Sequence, residues 1–140
     1  MKAPASFLAA LLIAIIAPAI SVTAFAEAYL FEVLAKSNYY KSWNALFLEE
    51  KNVDYWLVQY SKTKNGPATH GNAVELGGAR FQIYSVCKAH GCGGNMFYVL
   101  FAPKGATAWG LLLKEGKSER FFGNPDEEKK DVLRAWGAQS

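Results

Sequence analysis

Among its 140 residues the chain has only two cysteines, two histidines and five prolines. Charge is scarce as well. Charged side chains make up 19% of the sequence, and 15 basic against 12 acidic residues leave a formal charge of +3. A dedicated nucleic-acid binder concentrates Lys and Arg on one stripe; here both signs are interspersed, which excludes that class. No Cys-x-x-Cys pair occurs, so the thiol-oxidoreductase signature is absent. No apolar stretch runs unbroken for the roughly 20 residues that a membrane span requires. There is no internal repeat and no low-complexity tract. What the chain does hold is apolar residues at 51% and aromatics at 14%, which exclude a disordered polymer. Its length suits one domain, since two would each fall below the size of a self-sufficient core.

The apolar residues are unevenly spread. Lys2 is the only charge before Glu27, and between them lies the run Phe7 to Ala17, followed by Pro18 and then Ala24-Phe25-Ala26. A positive start, a short apolar stretch and an Ala-x-Ala site describe a secretory signal peptide over residues 1–26, with cleavage after Ala26. Pro18, Ser21 and Thr23 interrupt the run and argue against a membrane anchor. The expected mature protein is a single domain over residues 27–140, free of the membrane, with a formal charge of +2 once Lys2 is gone. In an oxidising compartment two cysteines five apart are most simply a disulfide, and with no third to compete the pair is Cys87 with Cys92.

Along the mature chain, Tyr29 to Phe47 has helical spacing. Leu30, Val33 and Leu34 share one face, while Tyr39 or Tyr40, Trp43, Leu46 and Phe47 share another; Ser37-Asn38 is the expected break and N-cap between two short helices. Asn52 to Tyr60, rich in aromatic and β-branched residues, is read as a strand. Ser61 to Gly71, with Asn65-Gly66-Pro67, reads as a surface loop. The pattern then turns to β. Ala73 to Leu76 and Ala79 to Cys87 are joined by the hairpin signal Gly77-Gly78. Met96 to Phe101 and much of Ala106 to Leu113 are continuously apolar, as strands covered on both faces are, and Glu119 to Phe122 is a last strand. Every connection is shorter than the dozen or so residues of a parallel crossover. The sheet is therefore an antiparallel meander of about five strands. A C-terminal helix follows, with Asn124 as N-cap, Pro125 at its first position, three acids complementing the dipole, and Gly137 as its stop. The class is α+β. The apolar strands are to be covered by the helices or by a second copy of the chain in a homodimer.

The one segment that carries chemistry is Cys87-Lys88-Ala89-His90-Gly91-Cys92-Gly93-Gly94-Asn95, between the two most apolar strands. A disulfide here closes the loop at the hairpin mouth, and Gly91, Gly93 and Gly94 are expected to supply positive φ angles for so tight a turn. Several readings compete. The plainest is a structural staple beside a solvated histidine. A zinc site needs four ligands and finds only Cys87, Cys92, His90 and the distant His70, with oxidation competing for the thiols. A Cys-His nucleophile pair needs the free thiolate that a disulfide removes. The last is a rigid recognition loop presenting Lys88 and His90 with little ordering cost on binding. The acids offer no enzyme site: Glu49-Glu50 and Asp126 to Asp131 read as solvated helix faces.

Cys87-Lys-Ala-His-Gly-Cys92 resembles the Cys-Lys-Pro-His-Asp-Cys loop of the inhibitor of vertebrate lysozyme (Ivy) family, periplasmic proteins of Gram-negative bacteria. The similarity extends to Tyr29-Leu-Phe-Glu-Val-Leu34, Trp43-Asn-Ala-Leu46, Tyr98-Val-Leu-Phe101, Trp109-Gly-Leu-Leu112 and Arg120-Phe-Phe-Gly-Asn-Pro-Asp126, which is nearly the whole mature chain. The resemblance implies a periplasmic, non-enzymatic inhibitor of c-type lysozyme, without a cofactor, whose loop enters the active-site cleft. It implies that His90 meets the catalytic carboxylates and that Lys88 adds a cationic contact. Two positions depart from the family pattern: Ala89 stands for the proline and loses its fixed φ, and Gly91 stands for the aspartate that could orient the histidine. Two other functions are weighed beside it: regulation of the cell's own lytic transglycosylases, and a metal-binding structural module.

Overall fold

The computed structural model describes residues 27–115 and 118–139; segment 1–26, expected to be a signal peptide, lies outside them. Three helices open the fold, α1 (Leu30–Val33), α2 (Ser37–Ala45) and α3 (Tyr55–Thr63). Five strands follow: β1 (Asn72–Leu76), β2 (Ala79–Cys87), β3 (Asn95–Phe101), β4 (Ala108–Lys114) and β5 (Ser118–Phe122). Helix α4 (Glu127–Gly137) ends the chain. The strands lie in sequence order, every neighbouring pair antiparallel, so the meander and the α+β class are both present. Gly77 and Gly78 both have positive φ, 56° and 77°, as a two-residue primed hairpin turn demands.

The apolar runs of β3 and β4 are explained by cover on both faces. On one side Tyr84, Val86, Phe97, Val99, Phe101, Leu112 and Phe122 pack against Leu30, Trp43, Leu57 and Tyr60 of the first three helices. Trp43 is the centre of this layer, its ring within 6 Å of those of Phe47, Tyr60 and Phe97. On the other side Ile83, Tyr98, Leu100 and Leu111 meet Leu133 of α4. Each such side chain taken fully out of water contributes about 1.5–3 kcal/mol, so alternation within one strand feeds two separate cores.

Four sequence expectations are corrected. The stretch expected as a strand, Asn52 to Tyr60, is instead a turn leading into α3. Asn52 takes a positive φ of 56°, and burial falls on Leu57, Tyr60 and Ser61, a spacing of three and four residues that fits one helix face. Aromatic and β-branched composition was outweighed there by the period of burial. Two helices do occur here, but the break between them lies at Leu34 to Lys36; the cap falls on Lys36, and Ser37 and Asn38 are already helical. At α4 the cap is Asp126, not Asn124: its carboxylate accepts from the Lys129 N–H at 3.0 Å, while Asn124 occupies a positive-φ turn. Gly137 is the last residue of α4 and not its stop. A Cβ there would lie 3.0 Å from Leu113 Cδ1, so its missing side chain lets the helix end lie close on the sheet.

Candidate functional site

Strand β2 ends at Cys87 and β3 begins at Asn95, leaving the chemistry-bearing loop at one end of the two central strands. The expected disulfide joins Cys87 to Cys92, with the Cα atoms 4.8 Å apart, inside the range such a bond allows. Within this ring the Gly91 N–H donates to the Lys88 carbonyl at 2.9 Å, closing a four-residue turn. His90, at its third position, takes a positive φ of 60°. Type II turns place a left-handed residue there. The glycines do not carry the strain as expected: the positive φ falls on the histidine, a residue that enters this region more readily than most. Lys88 and His90 are both exposed, and Ala89 between them is half-buried.

The ring is held from three directions. From inside the hairpin, the Lys88 N–H donates to the Asn95 carbonyl at 3.1 Å, and Asn95 Nδ2 donates to the Gly91 carbonyl at 3.1 Å. From the β1 side, the Cys87 N–H donates to the Pro67 carbonyl at 3.0 Å, and Ala68 bridges Val86. Gly66 sits so close that a Cβ on it would be 2.4 Å from the Cys87 carbonyl oxygen. From the β4 side, the Glu115 N–H donates to the Gly94 carbonyl at 2.8 Å. From sequence, Asn95 belongs to the loop without a role, and Asn65-Gly66-Pro67 is plain surface loop. The docking of that segment along the β2 edge is a long-range pairing with no local signature.

The structure does not bring together the ligands that a metal centre would need. Both sulfurs are in the disulfide, which also removes the thiolate a Cys-His nucleophile requires. His70 belongs elsewhere: its Nδ1 lies 2.7 Å from the Glu27 carbonyl oxygen, and its ring packs on Tyr29 at 3.7 Å between centroids. Several of the acids are paired with cations. Glu50 meets Arg120 at 2.8 Å, Asp126 meets Lys129 at 2.6 Å, and Glu127 meets Lys130 at 2.7 Å. The Lys129 ammonium and the backbone N–H of the same residue hold the Asp126 carboxyl below its ordinary range. This is ion pairing at a helix start.

The disulfide-closed turn leaves His90 exposed at one end of the two central strands. A family model described as inhibitor of vertebrate lysozyme (Ivy) matches residues 38–139, covering α2 through α4 and the whole loop. The chain belongs to the Ivy family. An inhibitor of vertebrate lysozyme from Pseudomonas aeruginosa is similar, with 28% identity over 117 residues that cover 74% of each chain. An uncharacterized protein of Yersinia pestis is 25% identical over 96 residues, 69% of this chain and 60% of its own. Ivy proteins are inhibitors and not enzymes. Among the described residues no helix is long and apolar enough to cross a membrane.

Proposed function

We propose that this protein is an exported, periplasmic inhibitor of c-type lysozyme that puts the Cys87–Cys92 loop into the enzyme's active-site cleft and so protects peptidoglycan. The observation that carries the reading is the position of His90: exposed, at the third position of a cross-linked turn, with an ion pair from none of the described residues. A lysozyme cleft holds one protonated and one ionised carboxyl group. A neutral imidazole has one N–H donor and one lone pair, so a single ring satisfies both carboxyls at once and fills the space of the scissile bond. Lys88, two residues earlier, adds a cation toward the same acidic cleft. With the ring closed before binding, little chain entropy is lost on insertion. C-type lysozymes are basic and this chain is weakly basic too, so local fit outweighs long-range steering.

The test is inhibition of a c-type lysozyme in a cell-wall turbidity assay, beside a g-type lysozyme as control. His90→Ala is expected to lose most of the inhibition; His90→Asn, which keeps a residue at ease with positive φ, is expected to lose it as well while folding normally. Full potency in both variants would overturn the reading. Inhibition of a lytic transglycosylase with c-type lysozyme left active would move the target to the cell's own enzymes.

A further inference from the structure

We propose that the docking surface extends beyond the loop to the start of α3, where Tyr55 is a second anchor that packs on the rim of the same glycosidase cleft. This rests on the loop-insertion reading. Specific interfaces engage about 20–30 residues on each side, and six loop residues cannot supply that alone. The surface beside the loop must take part, and the sheet register says which surface it is. Cys87, Asn95 and Lys114 lie side by side at one end of β2, β3 and β4, through the pairs Cys87 with Met96 and Asn95 with Lys114. Lys114 Nζ then reaches Asp54 Oδ1 at 3.0 Å, and Asp54 is the residue just before α3. Tyr55 follows and is 78% exposed.

Folding gives no reason for that side chain. At the first position of a surface helix a polar residue serves at least as well, whereas Tyr leaves its ring in water. Tyr is, however, among the residues that carry binding energy, because a rigid ring with a polar tip buries much area at small entropy cost. The other exposed large apolar side chains sit elsewhere. Leu48, 80% exposed, borders the same hollow as Gly123 and Asn124, past the opposite end of β5; Phe31 stacks on Tyr29; Tyr40 is on α2. Helix α3 also returns to the loop at its other end. Its C-cap Lys64 is two residues before Gly66, which packs on the Cys87 carbonyl. Loop and second anchor are thus held on one frame.

Leu48 supplies a matched control, equally exposed at the opposite end of the sheet. Binding of the purified protein to immobilised c-type lysozyme is measured for Tyr55→Ala, Tyr55→Phe, Leu48→Ala and His90→Ala. Tyr55→Ala is expected to raise Kd about tenfold, mostly through faster dissociation, with Tyr55→Phe retaining most affinity and Leu48→Ala within about twofold of the parent. Tyr55→Ala within about twofold of the parent while His90→Ala is impaired would overturn the second anchor and leave loop insertion standing. Parent affinity in both would overturn the two together.

Discussion

The carboxamide of Asn95 donates to the carbonyl of Gly91 at 3.1 Å, across the mouth of the disulfide ring. Asn95 also accepts the Lys88 N–H through its own carbonyl, so one residue at the start of β3 grips both limbs of the turn that carries His90. Its effect is on position. Asn95→Ala is expected to keep the fold and the disulfide and to weaken lysozyme inhibition about fivefold, the equivalent of one hydrogen bond of about 1 kcal/mol. Asn95→Asp, which retains size but loses the donor, is expected to behave like the alanine variant. An inhibition titration of both beside the parent checks this, and parent potency in Asn95→Asp would refute the role of the donor.

Gly66 supports the ring from outside. Its φ of 140° and the 2.4 Å approach of a built Cβ to the Cys87 carbonyl leave no room for a side chain. Gly66→Ala is expected to cost about 1–3 kcal/mol in denaturant unfolding. It is also expected to reduce inhibition, because the only relief is for Pro67 and Cys87 to part. Loss of stability without loss of inhibition would show that the segment stabilises the fold but does not aim the loop.

Ala89 occupies the second position of the turn, where proline is favoured, and none of the described hydrogen bonds uses its N–H. Ala89→Pro is expected to raise stability by about 0.4–1 kcal/mol, chiefly by restricting the unfolded chain. Inhibition is expected to tighten by about two- to fivefold as the loop loses less freedom on binding. Thermal unfolding and the inhibition constant measure the two effects separately.

Tyr60 is fully buried and its hydroxyl has no hydrogen-bond partner among the described residues. Burial pushes its pKa up to about 12 from 10.0. A raised pKa favours the neutral phenol in the folded state. The associated stability is complete below pH 10 and is lost as pH rises toward 12. Tyr60→Phe is expected to match or exceed the parent's stability at pH 7, since an orphaned buried hydroxyl costs about 1–3 kcal/mol, and to show a weaker decline between these pH values. Denaturation curves at pH 7, 10 and 11 report both.

Much of the fold is legible in the sequence because its signals are local. Gly77-Gly78 announces a hairpin, the unbroken apolar run of β3 announces cover on two faces, and short connections leave no topology but a meander. The cysteine pair marks the loop for the same reason. Helix α3 is misread because Trp56, Val58 and Tyr60 are individually favourable in strands, and only the burial of Leu57, Tyr60 and Ser61 reveals the helical period. Asp126 and Asn124 are both good caps in principle; the choice between them depends on which carboxylate or amide reaches the Lys129 N–H in space. The grip of Asn95 and the contact of Gly66 with Cys87 join residues whose types are unremarkable for loops. No pattern of neighbours in sequence encodes where those loops meet.

The disulfide ring starts from the register pair Cys87 with Met96, the last rung of the β2–β3 ladder. The four residues between the two cysteines belong to no strand, so an exchange among them changes the tip and leaves the strand register as it is. The loop is in this sense a cassette on a fixed mount. Four residues at the tip can be rewritten while both cores stay intact, and the same boundary offers a place to graft a new recognition sequence.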